Sequence, residues 1–347
     1  MSFFNFLLFL LPLLLLRETN GALNCNYGGE GSWFYDQSYP LYDSIKCPFI
    51  EREYHCVRNG RPDSDYLKYR WQPAACDLKR FDGRDFLERF RGKSIMFVGD
   101  SLSRDEYQSL LCLLHSSVPE IRYIQNRTGD ISIVTFLDFE VQVKLDRNVF
   151  LVDILNTTIG RVLVLDSVKA KAPFWLKNDF LIFNTFQWWY YKGAKQPWDY
   201  VQLENKIYKD LDRTFAFMRG LKTWASWVDA AIDPSRTRVF FQGVSPSHYN
   251  GSQWFRPGAK NCAEETEPVF GSHYNVALPP ALGQQKSVLA TMKKPVTLLD
   301  ITHLSQFRKD GHPSIYGENG RSGMDCLHWC IAGVPDIWNE ILYNLII

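Results

Sequence analysis

This sequence predicts an α/β fold, a parallel sheet flanked by helices, on three observations. Five short apolar runs of strand length recur after residue 90: Ser94–Val98, Arg161–Leu165, Phe180–Phe183, Arg238–Phe241 and Val296–Ile301. Helical apolar spacing falls between them. Apolar residues make up 46% of the 347, enough for a large core. Strands alternating with helices favour a parallel sheet covered on both faces.

The elements follow in chain order. Phe3–Leu16 is apolar apart from Asn5 and Pro12, shorter than the roughly 20 residues of a membrane span. With the small residues Asn20-Gly21-Ala22 behind it, it reads as a signal peptide or a short signal anchor over residues 1–22, with membrane association in the second case. No Lys or Arg precedes the run and Arg17 follows it, which disfavours an anchor with a cytosolic N-terminus. Residues 23–90 are rich in Cys, Tyr and Pro, with Gly31-Ser-Trp33 and Tyr69-Arg-Trp71 between the cysteines. They read as a disulfide-stapled segment packed on the domain that follows, residues 91–347.

Within that domain, Ser94–Val98 is a strand, and Leu102, Leu110, Leu111, Leu113 and Leu114 suit a helix after it. Ile121–Leu155 alternates polar and apolar residues and is expected to be an antiparallel insertion, a smaller lobe. Glu204–Val228 is expected to be a helix carrying Ile207, Leu211, Phe215, Met218 and Leu221. The last helix is expected near Pro335, because Pro tolerates a first helical turn.

The formal charge of +1 gives no electrostatic case for nucleic acid or acidic lipid. Eleven Trp and seventeen Tyr exceed ordinary core needs, so a few can stack on sugars. Asn126, Asn156 and Asn250 each open an Asn-x-Ser/Thr glycosylation acceptor. Eight cysteines follow the leader: Cys25, Cys47, Cys56, Cys76, Cys112, Cys262, Cys326 and Cys330. In an oxidising lumen an even number reads as four disulfides, whose connectivity the spacing does not fix. A zinc site is the weaker reading, since Cys326 and Cys330 lack a matching second pair.

Chemistry concentrates at two points. Gly99-Asp100-Ser101 ends the first strand, where ligands bind in open parallel sheets. Gly99 permits a sharp turn that leaves Ser101 at a helix N-terminus, where amides and the dipole favour a developing oxyanion. The alternative is that Asp100 or Ser101 only caps the helix. Asp325 and His328, three apart, can act as an orienting carboxylate and its base. Together with Ser101 they suggest acyl transfer through an acyl-serine. Cys326 and Cys330 bracket His328, so disulfides there would limit its drift. Asn184 ends another strand and can donate to an oxyanion or form a turn. Arg104 and Asp105, one turn after Ser101, can face the cleft, as can His248; Trp188-Trp189-Tyr190-Tyr191 is a sugar platform or core.

At these residues the chain resembles the plant trichome birefringence-like family (PC-esterase type), whose members are mostly cell-wall polysaccharide O-acetyltransferases. The resemblance rests on Gly31-Ser-Trp33, on Cys47-Pro-Phe49 through Tyr69-Arg-Trp71-Gln-Pro, and on Phe97-Val-Gly-Asp-Ser-Leu102. Phe183-Asn-Thr185 with Trp188-Trp189, and Asp325-Cys-Leu-His-Trp-Cys330, complete it. Tyr39-Pro-Leu-Tyr-Asp43 and Cys47-Pro-Phe-Ile-Glu-Arg52 look closest to the branch linked to pectin and powdery-mildew resistance. The resemblance implies an SGNH/GDSL-esterase-like fold with Ser101 as nucleophile, His328 as base and Asp325 as its partner. It also implies the pairs Cys25–Cys76, Cys47–Cys112, Cys56–Cys330 and Cys262–Cys326, two of which would tie down the His328 loop.

The expected activity is acetyl transfer from acetyl-CoA or another acetyl carrier to pectin or xylan, with no metal or bound cofactor, in the Golgi lumen or the wall. A polysaccharide acetylesterase and a non-catalytic wall-glycan-binding protein are the alternatives. The chain departs from the family at Phe186-Gln187, where Gly-His is common, and at Asp105-Glu106, where Asn-Gln is common.

Overall fold

A computed structural model describes residues 25–274, 276–317 and 323–347; the leader lies outside the described residues. In chain order, β1 (Gly31–Tyr35) and β2 (Tyr69–Pro73) precede α1 (Gly83–Arg89), β3 (Ser94–Val98) and α2 (Ser101–Ser117). Next come β4 (Tyr123–Thr128), β5 (Ile131–Phe136), β6 (Val141–Asp146), β7 (Asp153–Thr157), β8 (Gly160–Val164), α3 (Ala172–Trp175) and β9 (Phe180–Phe183). The rest are β10 (Tyr200–Leu203), β11 (Lys206–Tyr208), α4 (Arg213–Ala231), β12 (Arg238–Gln242), α5 (Pro280–Leu289), β13 (Val296–Leu299), α6 (Thr302–Gln306) and α7 (Val334–Ile346).

The central sheet has the order β13-β12-β9-β3-β6-β5-β4. Its strands β13, β12, β9, β3 and β6 run parallel, and β5 and β4 extend it antiparallel at one edge. Successive side chains of a strand point to opposite faces. Ile95, Phe97, Ile182 and Phe240 therefore join one buried cluster with Leu110 and Leu111 of α2 and Ile337 and Trp338 of α7. Met96, Val98, Leu181, Phe183 and Phe241 join a second, with Phe217 and Trp224 of α4 and Val288 of α5. Burial on both faces is why these strands read as continuous apolar runs.

Three expectations change. The run Arg161–Leu165 supplies β8 of a separate four-stranded sheet, order β11-β10-β8-β7, which is the inserted lobe. An apolar run looks alike whichever sheet buries it. The alternating strands within Ile121–Leu155 do not form a lobe of their own: β4, β5 and β6 extend the central sheet through β6–β3 pairing, and only β7 enters the lobe. The stretch Glu204–Val228 is helical only from Arg213. Glu204 and Asn205 take φ of +50° and +63°, the backbone a tight two-residue hairpin requires, and Asp212 caps α4 by accepting from Phe215 N–H (2.8 Å). α2 and α7 follow the sequence expectation, with Pro335 in the first turn of α7.

The N-terminal segment shares the main core. Trp33, Tyr42, Phe49, Tyr54 and Trp71 lie in the same cluster as α2 and α7. Its polar atoms also reach across: Trp33 Nε1 donates to Leu304 O (2.8 Å), Tyr39 Oη to Glu340 (2.8 Å), and Arg61 to Asp310 O (2.7 Å). Four disulfides join Cys25–Cys76, Cys47–Cys112, Cys56–Cys330 and Cys262–Cys326.

Candidate active site

β3 lies between β9 and β6, so the chain leaves it to build first one side of the sheet and then the other. That reversal opens a crevice at the strand's carboxyl end, where Gly99-Asp100-Ser101 stands. A Cβ on Gly99 would come within 2.6 Å of Asn184 O and 2.5 Å of Ser103 Oγ, so only glycine fits between β3 and β9. Asp100 is the N-cap of α2, accepting from Leu102 N–H at 2.9 Å. Burial pushes its carboxyl up to about 6 against that bond. Ser101 opens the helix with its side chain partly exposed.

The opposite wall is the loop Asp325–Cys330. Asp325 Oδ1 accepts from the backbone N–H groups of Leu327 and His328, both at 3.0 Å, which folds the loop into a tight turn. Its Oδ2 accepts from His328 Nδ1–H at 2.8 Å. That bond fixes the tautomer with a bare Nε2, and Nε2 lies 2.7 Å from Ser101 Oγ. Ser101, His328 and Asp325 thus form one hydrogen-bonded line across 227 residues of chain.

The electrostatics suit a base. Burial alone would raise Asp325; the hydrogen bond and charge of His328, with the two backbone donors, outweigh it and hold the carboxyl at about 2. Burial alone would lower His328; the bond to Asp325 and the charges of Asp105 and Asp325 outweigh it and raise the imidazole. Asp105 is fully buried behind the histidine, and its Oδ2 accepts from Trp329 N–H at 3.1 Å. Burial pushes its carboxyl up to about 8.

A cleft of about 450 Å³ opens over this line, bordered by Glu53, Tyr54, Arg104, Tyr191, Tyr249 and Leu327. Arg104 faces the cleft but is engaged by Glu51 (2.5 Å), Glu53 (2.8 Å) and the Tyr54 hydroxyl. The Tyr54 ring packs at 5.4 Å from the His328 ring. Asn184 is buried and turned inward; with its amide nitrogen toward Asp100 it donates to both carboxylate oxygens, at 2.6 and 3.2 Å. His248 is buried outside this cleft, against a second cavity of about 300 Å³. Trp189 is core, whereas Trp188 is partly exposed. Asn126, Asn156 and Asn250 are all exposed.

Tyr54, Tyr249 and Glu53 were not singled out from the sequence as cleft residues. The available signals were position: Tyr54 lies two residues before Cys56, and Tyr249 directly follows His248. Among the described residues, no group of three or more His, Cys, Asp or Glu is arranged to hold a metal, and no helix is long and apolar enough to cross a membrane.

Comparison with known proteins places these features in a lineage. The PC-Esterase family, described as a GDSL/SGNH-like acyl-esterase family found in Pmr5 and Cas1p, matches residues 78–345, and the PMR5 N terminal domain matches residues 23–77. Three Arabidopsis thaliana proteins align along nearly the whole chain. Protein trichome birefringence-like 41 is 53% identical over 98% of this chain and 95% of its own length. Protein trichome birefringence-like 40 is 50% identical over 95% and 90%, and protein trichome birefringence-like 38 is 48% identical over 94% and 85%.

Proposed function

The chain belongs to the trichome birefringence-like family, and from that premise we propose that it is an O-acetyltransferase acting on a plant cell-wall polysaccharide, pectin or xylan. The observation that carries this reading is the unbroken line from Ser101 Oγ through His328 to Asp325 at the mouth of an open cleft.

In the proposed cycle, His328 Nε2 takes the Ser101 hydroxyl proton as Oγ bonds to the acetyl carbonyl carbon of the donor. The dipole at the N-terminus of α2 favours the developing oxyanion. The tetrahedral adduct breaks its bond to the leaving group, which takes the proton from His328. A sugar hydroxyl then gives its proton to Nε2 and bonds to the acetyl carbon. Ser101 leaves with that proton restored. Asp325 keeps the imidazole in one tautomer and stabilises it while charged. The acetyl donor, acetyl-CoA or another carrier, is a co-substrate. Tyr191 and Tyr249 offer aromatic faces to the acceptor, and Arg104 fixes the wall beside it. The four disulfides accord with a secretory-pathway protein. The Golgi lumen is the proposed compartment, with the wall as the alternative.

A second reading, a polysaccharide acetylesterase, is favoured by one observation: the His328 side chain keeps 22% of its exposure, so water can reach the acyl-enzyme. The test supplies an activated acetyl ester with pectin and xylan oligosaccharides and follows acetylated product and free acetate by mass spectrometry. Acetylated oligosaccharide that vanishes in Ser101→Ala supports the transferase and identifies its polymer. Free acetate alone, also from acetylated polymers, replaces it with the esterase. Unchanged biological activity in Ser101→Ala sinks both.

A further inference from the structure

Behind the loop that carries His328, two other histidines touch. His248 Nδ1 lies 2.6 Å from His312 Nε2. At one end of the pair, His248 Nε2 lies 2.8 Å from the carbonyl oxygen of Gln306. At the other, His312 Nδ1 lies 2.6 Å from the carbonyl oxygen of His328 itself. Both side chains are 1% exposed.

Counting hydrogens leads to a charge. A carbonyl oxygen only accepts, so each end of this line needs an imidazole N–H. The contact between the rings needs a third. Two neutral imidazoles carry two N–H groups between them. We infer that His248 and His312 share one excess proton, so that a buried, singly charged pair grips the main chain of His328. Without it, two bare lone pairs would face each other, or one would face a carbonyl oxygen, at residues that are 1% exposed.

The surroundings can hold such a charge. On the chain after α6, the Asp310 carboxylate attracts it and Lys309 opposes it, while Arg308 is paired with Asp310 (2.9 Å). Glu265 attracts it from the segment after β12, although salt-bridged to Lys309 and Arg256. From the loop that bears His328, Asp325 attracts the charge and protonated His328 repels it; from the N-terminal segment Arg61, paired with Asp63, donates to the His312 carbonyl oxygen at 3.0 Å and opposes it. Trp329 lies stacked on the His312 ring with centroids 4.1 Å apart, the placement of a cation over an aromatic face. Burial acts the other way, drawing His248 down to about 4 and His312 well below the ordinary histidine range. The N–H···N bond, which two neutral rings donating outward cannot make, opposes that pull. The proton therefore stays only while all three contacts hold, and its loss opens one of them.

His248 and His312 are thus positioning residues, acting through the carbonyl of His328. Their effect on rate rests on the proposed role of His328 as base; the proton count does not. The experiment uses the full-length chain, made in a secretory host with ¹⁵N-labelled histidine. NMR at mildly acidic pH should show three N–H hydrogens on this pair, one strongly deshielded, lost in a single titration as pH rises. In parallel, Ser101 is labelled with a fluorophosphonate across the same range. Labelling should fall over the NMR titration, by up to about 100-fold given the cost of small misplacements. In His248→Phe, neutral His312 can still donate to the His328 carbonyl, so that alkaline fall should disappear.

Two neutral rings in the folded protein at mildly acidic pH would overturn the inference, as would an unchanged alkaline fall in His248→Phe. If that variant does not fold, the wild-type spectrum decides. A shared proton in a chain whose Ser101 never labels would leave the pair standing and remove the catalytic reading instead.

Discussion

The two halves of the candidate active site are held by different physics. Ser101 stands where β3 passes into α2, and regular structure places it: a buried strand, a glycine with no room for a side chain, and an aspartate cap. His328 stands on a loop with no helix or strand of its own. Long connections place it: disulfides spanning 64 and 274 residues, the main-chain pairing of Asp325 with Ser314, Trp329 N–H on Asp105, and His312 on its carbonyl. Regular structure positions Ser101, whereas cross-links and buried side chains position His328. A site built this way should fail differently when each half is disturbed.

The sharpest contrast is chemical. Ser101→Ala should abolish acyl transfer, by about 10⁶-fold if the triad acts as a unit, with the thermal midpoint barely moved. Asp325→Asn should cost about 10⁴-fold through loss of the correct tautomer. It should also loosen the loop, seen as faster hydrogen exchange at residues 325–330 and not at residues 94–101. Equal exchange in both segments would erase the distinction.

Covalent changes should come next. Removing Cys56–Cys330 by paired serine substitution should cost about 2–5 kcal/mol and lower the labelling rate of Ser101. Removing Cys25–Cys76, which closes a loop within the N-terminal segment, should destabilise the chain while leaving the labelling rate nearly unchanged. Denaturant melts and fluorophosphonate kinetics on both variants compare the two.

The smallest effect should be on pH dependence. His328 must be neutral to accept the Ser101 proton. Burial lowers its pKa, but the bond to Asp325 raises it further, so the acid limb of the rate should lie above the titration of a free histidine. Arg104→Gln removes a lowering charge and should move the limb up. Asp105, with its carboxyl pushed up to about 8, is largely protonated at that limb, so Asp105→Asn, which keeps an acceptor for Trp329 N–H, should move it little. A limb that Arg104→Gln leaves in place would show that this neighbouring charge does not set the base.

The same contrast governs what could be read from the chain. The strand before Ser101 and helix α2 after it announce themselves by apolar pattern, and Gly-Asp-Ser marks where one becomes the other. Asp325 and His328 were legible as a pair because three residues suffice to bring them together. Their joint reading with Ser101 rested on the chemistry of the residue types and on the family resemblance, because the bonds that bring them together span most of the chain; the resemblance, not the spacing, implied those disulfides. Periodicity could not separate β8 from the central strands, because both bury apolar side chains. It carried the helix reading back to Glu204, because Ile207 in β11 and Leu211 before α4 fall in phase with that helix. His248 and His312 form a pair that neither sequence neighbourhood foreshadows.

The bond between Cys56 and Cys330 also sets an order of events. Cys56 is synthesised 274 residues before its partner, and Cys76, Cys112, Cys262 and Cys326 are all made while it waits. The Cys56 thiol can be joined only after the loop that bears His328 has been made. Ser101 precedes His328 by 227 residues, so the last part of the proposed triad to be made is the part that this late bond secures.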